Sequence, residues 1–224
     1  VVMLEEYIYR VIGLLNLVDY FITPSVFMRD KMIEYGFPRQ KIKYIPNFIE
    51  AANEYEGSGN GGYGLYVGRI SYEKGLSTLI KAWADIPELK LFIAGDGPLR
   101  VEKEKITREL NIKNVTFLGP VSREKIMEVI KGASFLIVPS EWYENAPYSI
   151  LEAYSLGKPV IGSRIGGIPE MIMDGSNGLL FNPGDKNDLV DKIRWMMAHP
   201  VQVEKFGRNA YEYVRQKFNP FEHY

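Results

Sequence analysis

Two cations and two acids in this sequence are placed where one anionic, hydroxyl-rich ligand could meet all four. Arg69 and Lys74 share the glycine-flanked loop 68–75, which follows an apolar run and precedes a predicted helix. A guanidinium forks two phosphate oxygens, an ammonium acts as a point charge, and a helix N-terminus adds a partial positive charge. The loop therefore indicates a diphosphate site, although two solvated cations at a surface turn would give the same residues.

The two acids are Glu144 and Glu152, with seven residues between them. Glu152 is the only charged residue of the predicted helix 148–156, and a carboxylate on an apolar helix needs a partner. Ionised carboxylates accept hydrogen bonds from adjacent hydroxyls, so a sugar would suit. Glu144 precedes the helix, on the loop 139–147. A structural salt bridge for Glu152 and a solvated position for Glu144 are the alternatives.

Alternating strands and helices must position these loops. Six short apolar runs predict buried strands at 65–67, 91–94, 115–118, 135–138, 160–161 and 179–181. Amphipathic stretches predict helices at 76–86, 98–110, 124–131, 148–156, 168–171, 189–197 and 204–218. This alternation is typical of βαβ units, so we predict an α/β fold with a doubly wound, Rossmann-like parallel sheet. Ligands then bind beyond the carboxyl ends of the strands.

The first part of the chain is organised differently. Helical spacing of apolar residues covers 4–17, a short buried strand is predicted at 19–23, a helix follows Pro24 and Ser25, and another strand is predicted at 41–45. Glycines concentrate at 57–62, which is typical of a linker. We expect the chain to be a piece of a longer protein, because it begins inside an apparent amphipathic helix without an initiator Met.

Composition excludes several classes of site. Lys and Arg number 27 against 28 Asp and Glu, for a net charge of −1, which argues against nucleic-acid binding driven by bulk charge. The sequence has no cysteine, and its two histidines, His199 and His223, lie near the C-terminus. Thiolate catalysis and multi-histidine metal centres are therefore not expected. Without a signal segment, a cytoplasmic location is expected.

Ordered motifs through most of the chain resemble the family 4 retaining glycosyltransferases, which have the two-domain GT-B fold. The motifs are Gly68-Arg69 with Glu73-Lys74-Gly75, Gly95-Asp96-Gly97-Pro98, Phe117-Leu118-Gly119-Pro120-Val121, Val138-Pro139-Ser140, the pair Glu144 and Glu152, Gly157-Lys158-Pro159, Gly166-Gly167-Ile168-Pro169-Glu170 and Gly178-Leu179-Leu180. The resemblance implies that this chain is mainly the C-terminal, nucleotide-sugar-binding domain of such an enzyme.

The resemblance also implies roles for individual residues. Arg69 and Lys74 would contact the donor diphosphate and stabilise the leaving group, Glu144 would face the transferred hexose, and Glu152 would bind the ribose. Arg69, Lys74 and Glu144 are thus the candidate catalytic residues. The candidate donor-binding residues are Gly68, Arg69, Lys74, Gly95, Val121, Glu144, Asn145, Ala146, Pro147, Tyr148 and Glu152. Many members have glycine just after the first glutamate, whereas this chain has Asn145-Ala146-Pro147 there, and Pro147 offers no N–H.

The implied reaction transfers a hexose from a nucleoside-diphosphate sugar, with no cofactor and no required metal. The implied domains are 1–47, the end of the acceptor domain with the hinge; 48–63, a linker; 64–200, the donor domain; and 201–224, a helix that crosses back. The acceptor, a sugar or a lipid-linked sugar, would be bound mainly by the rest of the N-terminal domain. The chain alone is therefore expected to transfer little sugar, and the full-length protein could associate peripherally with a membrane.

Three alternatives remain open at the level of sequence. A GT-B-type nucleotide-sugar epimerase would share the donor site but needs acid/base residues between its domains. A non-catalytic nucleotide-sugar binding module would show the same motifs. A dinucleotide-dependent oxidoreductase is disfavoured, because the segment 95–100 begins like G-x-G-x-x-G but ends in Arg100.

Overall fold

The computed structural model describes residue 13, residues 17–51, 54, 55 and 57, and residues 61–220. The chain divides into two compact units, Val1–Pro46 and Asn47–Tyr224. The helix predicted at 4–17 lies almost entirely outside the described residues.

The described part of the smaller unit contains two parallel strands and one helix. β1 (Phe21–Thr23) pairs with β2 (Ile42–Tyr44), and α1 (Val26–Glu34) lies between them in the chain. Ser25 caps α1, because its hydroxyl accepts a hydrogen bond of 3.1 Å from the Met28 amide. The prediction of a buried first strand is wrong in part: Ile22 is 66% exposed, since a two-stranded sheet leaves one of its faces uncovered.

The larger unit is built on one six-stranded parallel sheet. Its strands are β3 (Tyr63–Val67), β4 (Lys90–Ala94), β5 (Val115–Gly119), β6 (Phe135–Val138), β7 (Val160–Ser163) and β8 (Gly178–Phe181). They lie in the order β5-β4-β3-β6-β7-β8, with every pairing parallel. This is the strand order of the Rossmann fold, so the predicted fold class is confirmed.

Helices cover both faces of this sheet. They are α2 (Leu76–Trp83), α3 (Arg100–Glu109), α4 (Arg123–Lys131), α5 (Tyr148–Ser155), α6 (Ile168–Met171), α7 (Lys186–Ala198) and α8 (Pro200–Lys217). One apolar cluster centres on Trp83 and Phe135, and a second on Leu151 and Tyr154. Because both faces are buried, the strands read as continuous apolar runs and not as alternating ones.

Several helix boundaries differ from the sequence-based predictions: α2 ends at Trp83 and not at 86, and α7 begins at Lys186 and not at 189. The last helix begins at Pro200 and not at 204, because proline fits the first turn, where its missing N–H costs no hydrogen bond. The predicted boundary of the terminal segment at 201 therefore falls one residue inside α8. α5 begins at Tyr148 as predicted, and Pro147 precedes it with an extended backbone. Among the described helices, none is both long and apolar enough to cross a lipid bilayer.

Candidate functional site

The loops that carry the candidate residues meet at the centre of the sheet's carboxyl edge. β3 pairs with β4 on one side and with β6 on the other, so the strand order reverses direction between β3 and β6. In open parallel sheets such a reversal leaves a crevice outside the strand ends, where ligands bind. The loop 68–75 follows β3 and the loop 139–147 follows β6, and both therefore border this crevice.

These two loops are held together by backbone and side-chain hydrogen bonds. The amide of Glu141 donates to the Glu73 carbonyl at 2.9 Å, and the Thr78 hydroxyl donates to the Glu141 carboxylate at 2.6 Å. Gly75 makes this approach possible. Its φ is +68°, and a Cβ placed on it would lie 1.8 Å from the carbonyl oxygen of Pro139. Only glycine tolerates both conditions.

Lys74 and Glu144 form an ion pair at the junction of the two loops. The Lys74 Nζ atom lies 2.5 Å from Glu144 Oε1, and the Ser140 hydroxyl donates to the same carboxylate oxygen at 2.7 Å. The side chains are only 27% and 15% exposed. An ammonium has three donor hydrogens. Lys74 can therefore keep this partner and still donate to an anion in the crevice.

The paired glycines after β7 fix the backbone of Glu144. The Gly167 amide donates to the Glu144 carbonyl at 2.7 Å. A Cβ on Gly166, whose φ is +60°, would lie 2.3 Å from that same carbonyl oxygen. The structure shows that the glycines make a close contact with the loop of the first acid.

A cleft of about 450 Å³ opens at the ends of β3, β4 and β5. Five of the candidate residues line it: Gly68, Arg69, Gly95, Val121 and Glu152. The remaining lining residues are Val67, Ala94, Asp96, Pro120, Arg123 and Ile126. Arg69 is exposed, and among the described residues its guanidinium takes part in no ion pair. It is therefore available to an anion that enters the cleft.

Burial of Glu152 is the main electrostatic feature of the cleft. Desolvation raises the pKa of its carboxyl above the ordinary value, and the positive charge of Arg123 acts in the opposite direction. A half-buried carboxylate with no salt bridge among the described residues has unmet capacity to accept hydrogen bonds. Adjacent ligand hydroxyls would meet it.

Tyr66 supports the backbone of the loop that carries Arg69. Its buried hydroxyl donates to the Arg69 carbonyl at 2.7 Å. Burial, followed by the negative charges of Glu144 and Glu73, raises the pKa of Tyr66 far above its usual value. The phenol therefore stays protonated and holds the backbone of Arg69 in place.

Replacing Glu152 with glutamine is expected to stabilise the unliganded protein at pH 7.5. A raised pKa in the folded state means that the folded protein binds the proton more tightly than the unfolded chain. The charge therefore costs stability as the pH rises above the unfolded pKa, and this cost is absent below it. Urea unfolding at pH 7.5 should show the variant as more stable, and at an acid pH below about 4 the difference should vanish.

Glu124→Gln is the matched control for this experiment, since Glu124 is an exposed acid on α4. It should change the unfolding free energy little at either pH. A Glu152→Gln variant less stable than the wild type at pH 7.5 would contradict the buried-charge interpretation.

The helices that begin at the site also favour anion binding. Neither α2 nor α5 has a side-chain cap at its N-terminus, whereas Ser122 caps α4 and Asp185 caps α7. The first amides of an uncapped helix can donate to a ligand. Six candidate residues lie outside the lining of the cleft: Lys74 and Glu144, which form the ion pair, and Asn145, Ala146, Pro147 and Tyr148, which lead into α5. The Asn47 side chain holds this segment, donating to the Ala146 carbonyl at 2.9 Å.

Sequence reasoning missed three residues of the site: Tyr66, Arg123 and Ser140. Arg123 follows β5 by four residues and Ser140 follows β6 by two, so the rule that ligands bind at carboxyl ends could have indicated both. Nothing in the sequence singles out Tyr66. It lies in a strand that is buried on both faces, and such a strand has no alternation of polar and apolar residues that would distinguish one of its side chains.

No group of three or more Asp, Glu or His side chains is close enough to hold a metal ion in the part of the chain that the structure describes. The expected independence from metal and cofactor stays a prediction.

Comparison with known sequences identifies the family of this chain. The sequence model of the family "Glycosyl transferases group 1" matches residues 49–213. A sulfoquinovosyl transferase of Arabidopsis thaliana is 34% identical over 151 residues, which are 66% of this chain and 29% of that protein. A D-rhamnosyltransferase of Pseudomonas aeruginosa is 35% identical over 158 residues, 69% of this chain and 41% of that protein. The chain thus spans less than half the length of these two relatives.

Solved structures share the fold. Sucrose-phosphate synthase of Thermosynechococcus elongatus matches with a TM-score of 0.82 at 27% identity, over 96% of this chain and 58% of that chain. The Anabaena protein HepE, solved in complex with UDP-glucose, matches with a TM-score of 0.83 at 23% identity, over 92% of this chain and 61% of that chain. The similarity to HepE shows the fold alone.

Proposed function

The chain belongs to the glycosyl transferases group 1, and from that premise we propose that its larger unit binds the nucleoside-diphosphate sugar of a retaining hexosyltransferase. The observation that carries the proposal is the arrangement at the carboxyl edge. The Lys74–Glu144 ion pair and a cleft lined by Arg69 and Glu152 lie at the same edge of the sheet, so this edge offers both cations and hydroxyl acceptors.

Each part of a nucleotide sugar has a counterpart in this arrangement. Arg69 and Lys74 bind the diphosphate, joined by amides at the uncapped starts of α2 and α5. Glu152 accepts hydrogen bonds from the two ribose hydroxyls, and Glu144 accepts them from the hexose. The apolar side chain of Val121 and the backbone beside it border the base.

In the reaction that we propose, the bond between the anomeric carbon and the diphosphate oxygen breaks, and the acceptor hydroxyl bonds to the same face of that carbon. A phosphate oxygen of the departing diphosphate takes the acceptor's proton. Arg69 and Lys74 stabilise the charge that develops on the leaving group, and such fixed cations are worth several kcal/mol in a water-poor site. This route uses neither a cysteine nor a histidine.

Relatives support the ligand class. HepE has been solved with UDP, with UDP and glucose, and with UDP-glucose. We propose the same class of donor for this chain, a cytoplasmic site of action, and an acceptor bound mainly by parts of the protein beyond the described donor unit. The assignment of residues 1–47 to an acceptor domain and hinge and of 64–200 to a donor domain belongs to the same proposal.

Thermal unfolding with a panel of UDP-, GDP- and ADP-sugars tests the donor site. A ligand that binds only the folded state stabilises it by about 2.7 kcal/mol at a concentration of 100 Kd, so the melting temperature rises by several degrees. Uridine, which lacks the diphosphate, serves as the control and should shift the midpoint much less. No response to any nucleotide sugar at millimolar concentration would contradict the proposed function.

A further inference from the structure

Arg123 lies in the cleft but has no role in the donor site described above. It is the first residue of α4, and it lines the cleft together with Val121, Ile126 and Glu152. Its side chain is exposed and belongs to no ion pair among the described residues. A free guanidinium that borders a ligand cleft is available to the ligand.

The order of the strands places Arg123 at one end of the site. Along the carboxyl edge, β6 carries Glu144, β3 carries Arg69 and Lys74, β4 is next, and β5 leads to Arg123. Neighbouring strands lie roughly 4.8 Å apart, so the ends of β5 and β6 are separated by roughly 14 Å. Arg123 therefore lies toward the β5 end of the edge, and the Lys74–Glu144 pair lies near its middle.

A nucleoside-diphosphate sugar has a fixed order of parts: hexose, diphosphate, ribose, base. With the hexose at Glu144 and the diphosphate at Arg69 and Lys74, the base falls beyond the ribose, on the β5 side. Glu152 is near enough to Arg123 for the cation to affect its pKa, which places the ribose acceptor beside the guanidinium. The group next to Arg123 is then the base.

We propose that Arg123 reads the edge of the donor base that faces away from the ribose, and that it selects a base with a carbonyl oxygen on that edge, uracil or guanine. A guanidinium has five N–H donors and no acceptor. On that edge uracil, like thymine, presents the acceptor O4 and guanine presents O6 and N7, whereas cytosine presents an amino group and adenine an amino group beside N7. Arg123 has no acceptor for these amino groups. Val121 and Ile126 supply apolar contacts that do not discriminate between bases. This inference rests on the proposed function of the same site.

Calorimetric titration of the whole chain with UDP, GDP, ADP and CDP at pH 7.5 tests this selection. The wild type should bind UDP or GDP, or both, more tightly than ADP and CDP, and the separate titrations tell uracil from guanine. Arg123→Ala should weaken the preferred nucleotide roughly tenfold, the value of one charged hydrogen bond, and ADP and CDP by less than about threefold. Arg123→Lys keeps the charge but loses the planar fork, so it should restore the preference only in part.

Lys125→Ala is the matched control. Lys125 is an exposed cation on the same helix, two residues further on and outside the lining of the cleft, and its removal should leave all four affinities unchanged. An equal loss for all four nucleotides in Arg123→Ala would overturn the base assignment, because the ribose and diphosphate are common to them. Unchanged affinities would overturn it as well. If no nucleotide binds to the wild type, the proposed function itself fails.

Discussion

Arg69→Ala is expected to weaken the binding of a nucleoside diphosphate by about 1.5–3 kcal/mol, which is roughly ten- to a hundredfold in Kd. The side chain lines the cleft and has no ion-pair partner among the described residues, so its charge is free for the diphosphate. The hydrogen bond from Tyr66 reaches the Arg69 carbonyl and survives the substitution. The loop should therefore keep its path, and the loss should report the missing charge.

Calorimetric titration with UDP and GDP measures this loss, and Arg164→Ala is its control. Arg164 also follows a strand at the carboxyl edge, but its guanidinium lies 2.9 Å from the Asp174 carboxylate and is absent from the cleft. Its removal should change nucleotide affinity little. Equal affinities for Arg69→Ala and the wild type would remove Arg69 from the diphosphate site.

Gly75→Ala is expected to destabilise the larger unit by about 3 kcal/mol or more, near the upper end for single substitutions. Two costs combine. A left-handed backbone costs a non-glycine residue about 1–2 kcal/mol. The new methyl group would also lie 1.8 Å from the Pro139 carbonyl oxygen, so the two loops that form the site would have to separate. Guanidinium chloride unfolding measures the loss of stability. Calorimetric titration with UDP measures the loss of affinity that separation of the loops should cause.

Gly175→Ala separates these two costs. Gly175 has a φ of +76°, close to that of Gly75, but a Cβ there would meet nothing within 4 Å. This control should show only the backbone cost of about 1–2 kcal/mol and unchanged UDP binding. If Gly75→Ala and Gly175→Ala were equally stable, the close contact between Gly75 and Pro139 would not be the reason that position 75 requires glycine.

The sequence predicts the buried strands more accurately than the ends of the helices. Apolar runs at 91–94 and 135–138 predict β4 and β6 to within a residue, because a strand buried on both faces needs uninterrupted apolar side chains. The ends of helices are predicted less accurately. α8 begins at Pro200 and not at 204, since the residues that start a helix need not belong to its apolar stripe.

The sequence by itself determined the order of the elements, the parallel sheet and the edge at which the charged loops lie. These features depend on periodicity and on the rule for carboxyl ends, and both can be read from neighbouring residues. The tertiary structure decided which groups meet. Lys74 contacts Glu144 across 70 positions, Gly75 lies against Pro139, and Arg123 shares a cleft with Glu152. Such contacts depend on strand order and register, which arise from the packing of the whole chain and leave no mark in any short stretch of it.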